Sequence, residues 1–208
     1  MPNWCANTIN LRHEDPTMIA RAVEAFKRGE FLQEFVPVPQ PLKDTISGSF
    51  GDTEQQALLE AQTMHNLSTY GYANWYDFCT NEWGTKWDVG DEDCINVTDD
   101  GLFVAFFDSA WAPPIAAYEK LMDLGFTVEA WYYEPGMAFV GKWDNGIDFC
   151  MQYGEFTSDT VRDAIGEELD DMFNISEDMA QWEEENQEID LDGGLSAVNE
   201  QEQEQNEE

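Results

Sequence analysis

The feature that most restricts how this chain can fold is where its carboxylates lie. Residues 143–208 carry 22 acidic side chains and a single base, Arg162, for a net charge of −21. Residues 1–142 carry 22 acids against 8 bases, a net of −14. Like charges at the density of the last third repel one another and must stay solvated, so that stretch cannot form the body of a core. The first two-thirds can. The chain is 42% apolar and 13% aromatic, with 8 Trp and 13 Phe, enough to bury a substantial interior. Three segments follow: a folded domain over 1–155, an acidic amphipathic helical segment over 156–190, and a disordered acidic tail over 191–208. In the tail, NEQEQEQNEE has nothing to bury.

Within 1–155 the apolar period switches between two and three-to-four. Trp4 to Leu11 alternates like a half-buried strand. Asp15-Pro16 supplies a cap and a first-turn proline for a helix with Ile19, Val23 and Phe26 inward, stopped at Gly29. PVPQP at 37–41 is predicted to lie outside sheet and helix, because proline lacks the amide donor. After a polar linker at Ser47–Gly51, Asp52 is expected to cap a second helix with Ala57, Leu58, Ala61 and Met64 inward, and YANWYDF (72–78) to add a helical turn. Strands are predicted over Trp83–Val89, Cys94–Val97, Leu102–Phe107, Phe126–Tyr133 and Met137–Trp143. A Pro113-Pro114-initiated helix carries Ile115, Tyr118, Leu121 and Met122 inward, and Glu134-Pro135-Gly136 turns the last hairpin. This is an α+β pattern, mostly antiparallel, with helices on one face. In the appendage, Thr157 or Ser158 caps a helix striped by Val161, Ile165, Leu169 and Met172, and a weaker helix runs from Ser176 to Gln187.

A net charge of −35 repels DNA, RNA and anionic membranes, because every approach to phosphate is like-charge. Direct nucleic-acid and membrane binding are therefore excluded as expectations, and a basic or nucleic-acid-handling protein is the expected partner. No stretch approaches the roughly 18 apolar residues of a membrane span. The start, MPNWCANTIN, has neither basic nor apolar signal regions. Cys5, Cys79, Cys94 and Cys150 are therefore expected reduced, buried and cytosolic.

Four motifs carry a family resemblance: MPNWCANTI at the start, WGTKWD at 83–88, FDSAWAPP at 107–114 and YEPGMAFVG at 133–141. Over about residues 1–145 the chain resembles the YubB-type ferredoxin-like domain family of bacteriophages, prophages and conjugative plasmids. The resemblance implies a ferredoxin-like sandwich without an iron–sulfur cluster, in the cytoplasm of a bacterial host. Ser109 and Ala112 stand where that family commonly has Thr and Ser. No activity comes with the resemblance.

Chemistry-bearing patterns are sparse. Trp4, Trp83, Trp87 and Trp111 are expected in the core, since strand-end aromatics usually fill it, and a base-stacking groove would need more cations than Lys86. The alternative makes Trp83, Lys86, Trp87 and Trp111 an aromatic site for a small ligand. His13 and His65 show no zinc spacing. Glu188, Asp190, Asp192 and Gly193 imitate the opening of an EF-hand, but Asn199 falls where a bidentate Glu is required. No nucleophile, phosphate-loop or dinucleotide motif occurs, so no enzyme, metal or cofactor is predicted. What remains is the acidic surface. Asp163, Glu167, Glu168, Asp170 and Asp171, with Glu183, Glu184 and Glu185, are the predicted contacts. Through them the chain would occupy the basic cleft of a host nucleic-acid-handling protein, as a DNA mimic in anti-defence or host takeover; the alternative is a solubility-adapted structural domain whose acidity has no inhibitory role.

Overall fold

The structure is a computed structural model and describes residues 3–51 and 53–186. Its chain divides into two compact units, the first Met1–Cys150 and the second starting at Met151.

The first unit is built on β1 (Trp4–Arg12), α1 (Pro16–Lys27), α2 (Phe31–Phe35), α3 (Gln40–Lys43), α4 (Thr53–Tyr70) and α5 (Trp75–Phe78). A π-helical turn at Cys79–Trp83 follows α5. Then come β2 (Ile95–Val97), β3 (Phe103–Ala110), α6 (Ile115–Asp123), β4 (Thr127–Glu134), β5 (Phe139–Asp144) and β6 (Ile147–Gln152). The strands form one six-stranded sheet in the order β2-β3-β1-β4-β5-β6, with every described pairing antiparallel. The α+β architecture with an antiparallel sheet is as the periodicity predicts.

Period-two side chains decide the packing. Ile9 lies opposite Ala105 and Ala130, and Leu11 opposite Phe103 and Val128. These residues share one face and join α1 (Ile19, Ala22, Phe26) and α6 (Ala117, Tyr118, Leu121) in a single buried cluster. Helix α1 starts as read from sequence: Asp15 accepts from Thr17 N at 2.8 Å and Pro16 opens the first turn. Phe26 is fully buried, edge-on to Phe31, Phe103 and Phe107 with ring centres 5.7, 5.8 and 6.0 Å away. It joins the first helix to the sheet.

Several local readings are corrected. Trp83–Val89 is not a strand: Gly84 adopts φ 86° and the segment becomes a hydrogen-bonded loop. Pro41 sits inside α3, at a helix start where its missing donor costs nothing. Helix α4 turns the opposite side inward. Leu58 and Met64 are exposed, because fully buried Asn66 donates to Thr45 Oγ1 (2.8 Å) and Ala73 O (3.0 Å) and so sets the inward face. Its expected cap, Asp52, lies outside the described residues. β6 was not anticipated. Cys94 is half-buried and Cys150 exposed, while Cys5 and Cys79 are buried. Burial pushes both buried thiols up to about 12, which leaves them protonated and inert.

In the second unit, α7 (Ser158–Ile165) and α8 (Glu167–Phe173) are separate helices, and 175–186 is helical (α9). The single stripe expected from Val161 to Met172 breaks at Gly166, whose φ of 90° and ψ of 154° lie outside any helix. Val161, Ile165, Leu169 and Ile175 are buried, and Met172 is exposed. Residues 187–208, with the predicted tail and EF-hand-like loop, lie outside the described residues.

Candidate functional site

The four sequence motifs, far apart in the chain, meet at one corner of the sheet. Asn3 accepts from Trp111 N at 2.9 Å, which ties the start of β1 to the end of β3. Asn7 donates to Ser109 Oγ (2.8 Å), and Ser109 donates to Ala112 O (2.7 Å), so the turn before Pro113-Pro114 is set from below. Glu134, buried, accepts from Gly136 N (2.8 Å) and Met137 N (2.7 Å) and shapes the neighbouring turn.

The loop 83–88 is pinned almost residue by residue. Trp83 is 4% exposed and donates Nε1–H to Val36 O at 2.8 Å. Gly84 lies so near α6 that a Cβ would stand 3.2 Å from Ile115 N and 3.3 Å from Pro113 O. Thr85 Oγ1 accepts from Ala110 N (3.0 Å) and donates to Ala110 O (3.1 Å). Asp88 takes the first amides of α2, from Leu32 at 2.6 Å and Gln33 at 3.0 Å, as well as Val89 N at 2.8 Å. Burial outweighs those donors and pushes its carboxyl up to about 6. The two residues left over, Lys86 and Trp87, project outward.

What they meet there overturns the expectation of a tryptophan core. Trp83 is core, but Trp4, Trp87 and Trp111 are 49%, 39% and 41% exposed. Trp87 stacks against Trp111 with ring centres 6.5 Å apart and planes 23° apart, and Trp4 lies tilted to Trp87 with ring centres 5.8 Å apart. The Lys86 ammonium sits 4.5 Å from the Trp87 ring centre, 5.4 Å from Trp111 and 5.8 Å from Tyr76. Each such contact is worth about 0.5–1 kcal/mol at an exposed site. The reason for the exposure is parity. Cys5, Asn7, Ile9 and Leu11 occupy the core face of β1, so Trp4 falls on the other. Trp111, just past β3, adopts φ 69°, a left-handed conformation costing a bulky residue about 1–3 kcal/mol.

Beside this ladder lies an open groove of about 410 Å³ bordered by Lys43, Trp75, Lys86, Trp87 and Asp88. A wider groove of about 1190 Å³ lies at the far end of β1, around Arg12 and His13. Its polar groups are engaged: Arg12 pairs with Asp100 at 2.9 Å, while His13 accepts from Asp15 N (2.9 Å) and meets Leu124 O (3.1 Å).

Of the acidic residues singled out from sequence, Asp163, Glu167, Glu168, Asp171, Glu184 and Glu185 are exposed, Glu183 is half-buried and Asp170 is buried. Asp170 is only 2% exposed and accepts from Ser176 N and Oγ, each at 2.8 Å, and from Arg162 at 2.7 Å. Burial raises its pKa, but the Ser176 and Arg162 bonds outweigh that and hold the carboxyl below its ordinary range. Asp171 (2.7 Å) and Glu167 (3.0 Å) also turn onto Arg162. Glu183 accepts from Ser158 N (3.0 Å) and Oγ (2.6 Å), capping α7. Glu185 accepts from Gln181 at 2.9 Å. Glu167, Asp171 and Glu185 stay exposed despite these polar contacts. Only Asp170 turns fully inward, which sequence spacing could not foresee because it depends on the break at Gly166.

Among the described residues, no cluster of three or more His, Cys, Asp or Glu could hold a metal ion. No helix among them is long and apolar enough to cross a membrane. No family model and no curated protein matches the chain. Among solved structures, the crystal structure of the protein api92 from Yersinia pseudotuberculosis, assigned to the DUF1281 family model, is similar. The likeness spans 74% of this chain and 99% of that one, at 14% identity and a TM-score of 0.34, which is too slight to carry an argument.

Proposed function

We propose that this chain is a non-enzymatic binding module whose working surface is the aromatic corner at Trp4, Trp87 and Trp111. One observation carries the reading: three half-exposed tryptophans lie side by side, two of them under the Lys86 ammonium and one on strained backbone. Burying a large aromatic would stabilise the fold by roughly 1.5–3 kcal/mol, so leaving three half-exposed forgoes that gain. Contiguous exposed aromatics held on a rigid frame mark interaction sites. Thermal-shift screening of small molecules tests it, since a ligand of the native state raises Tm. Hits should lose their shift in Trp87→Ala. A screen whose hits all survive that substitution would refute the reading.

A second reading rests on the net charge of −35. The molecule's field would steer a basic or nucleic-acid-handling host protein toward it, with Asp163, Glu168 and Glu184 among the outward carboxylates. Such an accessory protein would act in the host cytoplasm, in anti-defence or host takeover. Its signature is a complex retained at low salt and lost at high salt. A partner whose binding ignores ionic strength would contradict it.

We also propose that the first unit is a ferredoxin-like sandwich of the YubB type. The element order β1-α1-β2-β3-α6-β4 and the strand order β2-β3-β1-β4 support that topology, with β5 and β6 as additions.

A further inference from the structure

The chain has only 9 Lys and Arg among 44 acids, so a basic side chain without a carboxylate partner stands out. Arg12, Arg21, Lys27, Arg28, Lys120, Lys142 and Arg162 are all ion-paired. Among the described residues only Lys43 and Lys86 have no ion pair, and both border the same groove beside the tryptophan ladder. The two carboxylates of that groove are already committed. Glu30 pairs with Arg28 at 3.3 Å, and Asp88 is held by three backbone amides and pushed up to about 6 by burial.

We infer that this groove binds a nucleoside monophosphate, its planar base against the Trp87 indole that borders the groove and its phosphate held by Lys43 and Lys86. The inference rests on the aromatic corner being the working surface. Stacking of a base on an indole is worth about 1–3 kcal/mol and is tolerant of base identity, because every base presents a π-face. Two ammonium groups match a single phosphate. Further phosphates would meet no further cation, only the acidic remainder of the surface. At physiological salt the screening length is about 8 Å, so carboxylates outside the groove are largely screened. Within it Glu30 is paired with Arg28 and Asp88 is held by backbone amides, which leaves Lys43 and Lys86 for a single phosphate but not for a polyanion. The groove volume of about 410 Å³ lies in the range of small-ligand sites.

Isothermal titration of the full chain with 5′-AMP, adenosine, inorganic phosphate, ATP and tetramethylammonium tests the inference. AMP is expected to bind at least 10-fold more tightly than adenosine, phosphate or ATP. Lys43→Met should weaken AMP at least 5-fold while leaving adenosine binding and Tm unchanged; Lys86→Met should weaken AMP at least 5-fold, and Lys86→Arg should restore it. Adenosine binding as tightly as AMP would overturn the phosphate site while leaving the aromatic module in place. Tetramethylammonium binding that improves in Lys86→Met would do the same, pointing to a cage for cations. ATP binding more tightly than AMP would overturn the single-phosphate argument. No binding of AMP at all would overturn the inference. The module itself then stands or falls on the Trp87→Ala comparison in the ligand screen.

Discussion

Thr85→Val isolates the hydroxyl that fastens the tryptophan loop to the sheet. Valine has threonine's shape, so packing is preserved and only the two bonds to Ala110 disappear. Both residues are buried, and the Ala110 amide that now donates to Thr85 Oγ1 at 3.0 Å would be left without that acceptor. A lost hydrogen bond costs a net of about 0.5–1.5 kcal/mol, and a stranded buried donor about 1–3 kcal/mol. Together these give a loss of about 2–4 kcal/mol. Thr85→Ser keeps both bonds and gives up one methyl, worth about 0.8 kcal/mol before any cavity cost. Urea unfolding followed by circular dichroism measures both variants. The valine variant should have the lower midpoint by at least about 1 kcal/mol in free energy, with an unchanged slope. If Thr85→Val proves as stable as Thr85→Ser, the hydroxyl is not what holds the loop.

Three further outcomes follow from the geometry. Gly141→Ala would place a Cβ 2.3 Å from the Tyr132 ring and hydroxyl and 2.4 Å from Phe149 O. It should lower stability by about 1–3 kcal/mol or more, read as a fall in Tm. Phe26→Ala should cost about 3–5 kcal/mol in urea unfolding, since its fully buried ring meets three others. Asp88 gives a pH signature. Its folded pKa, about 6, lies above the ordinary 3.8, so the folded state holds the proton more tightly and stability falls as pH rises from about 4 to 6. The shift corresponds to about 3 kcal/mol. The stability of wild type minus that of Asp88→Asn should therefore drop across that window and level off above it. A flat or rising difference contradicts the assignment.

Much of the fold was legible because period and punctuation agreed. The alternation of β1, the Asp15-Pro16 start of α1, the Pro-initiated α6 and the turn at Glu134-Pro135-Gly136 each have a local cause, and each formed where its residues indicate. The failures share a different cause. Helix α4 turns inward not its apolar stripe but the face of Leu59 and a buried amide, Asn66, which is held through partners at 45 and 73. The appendage helix broke at a glycine inside an otherwise convincing stripe. For the site, the motifs were visible as strings, but their meeting at one corner depends on sheet order. The exposure of Trp111 depends on a backbone angle that spacing does not reveal. Base rates favour burial of tryptophan, and parity along β1 overrode them for Trp4. The acidic set was read as a charged face because spacing counts charges but not partners; Arg162, Ser158 and Ser176 supply those partners.

The aromatic corner is proposed as the surface that meets a ligand. Fluorine NMR of the full chain carrying 5-fluorotryptophan, with each resonance assigned by substitution, observes that surface directly while planar anions are added. Saturable shifts are expected at Trp87 and Trp111 and none at buried Trp143, which lies outside the groove. A ligand that stabilises the protein but moves Trp143 while leaving Trp87 and Trp111 still would contradict that proposal.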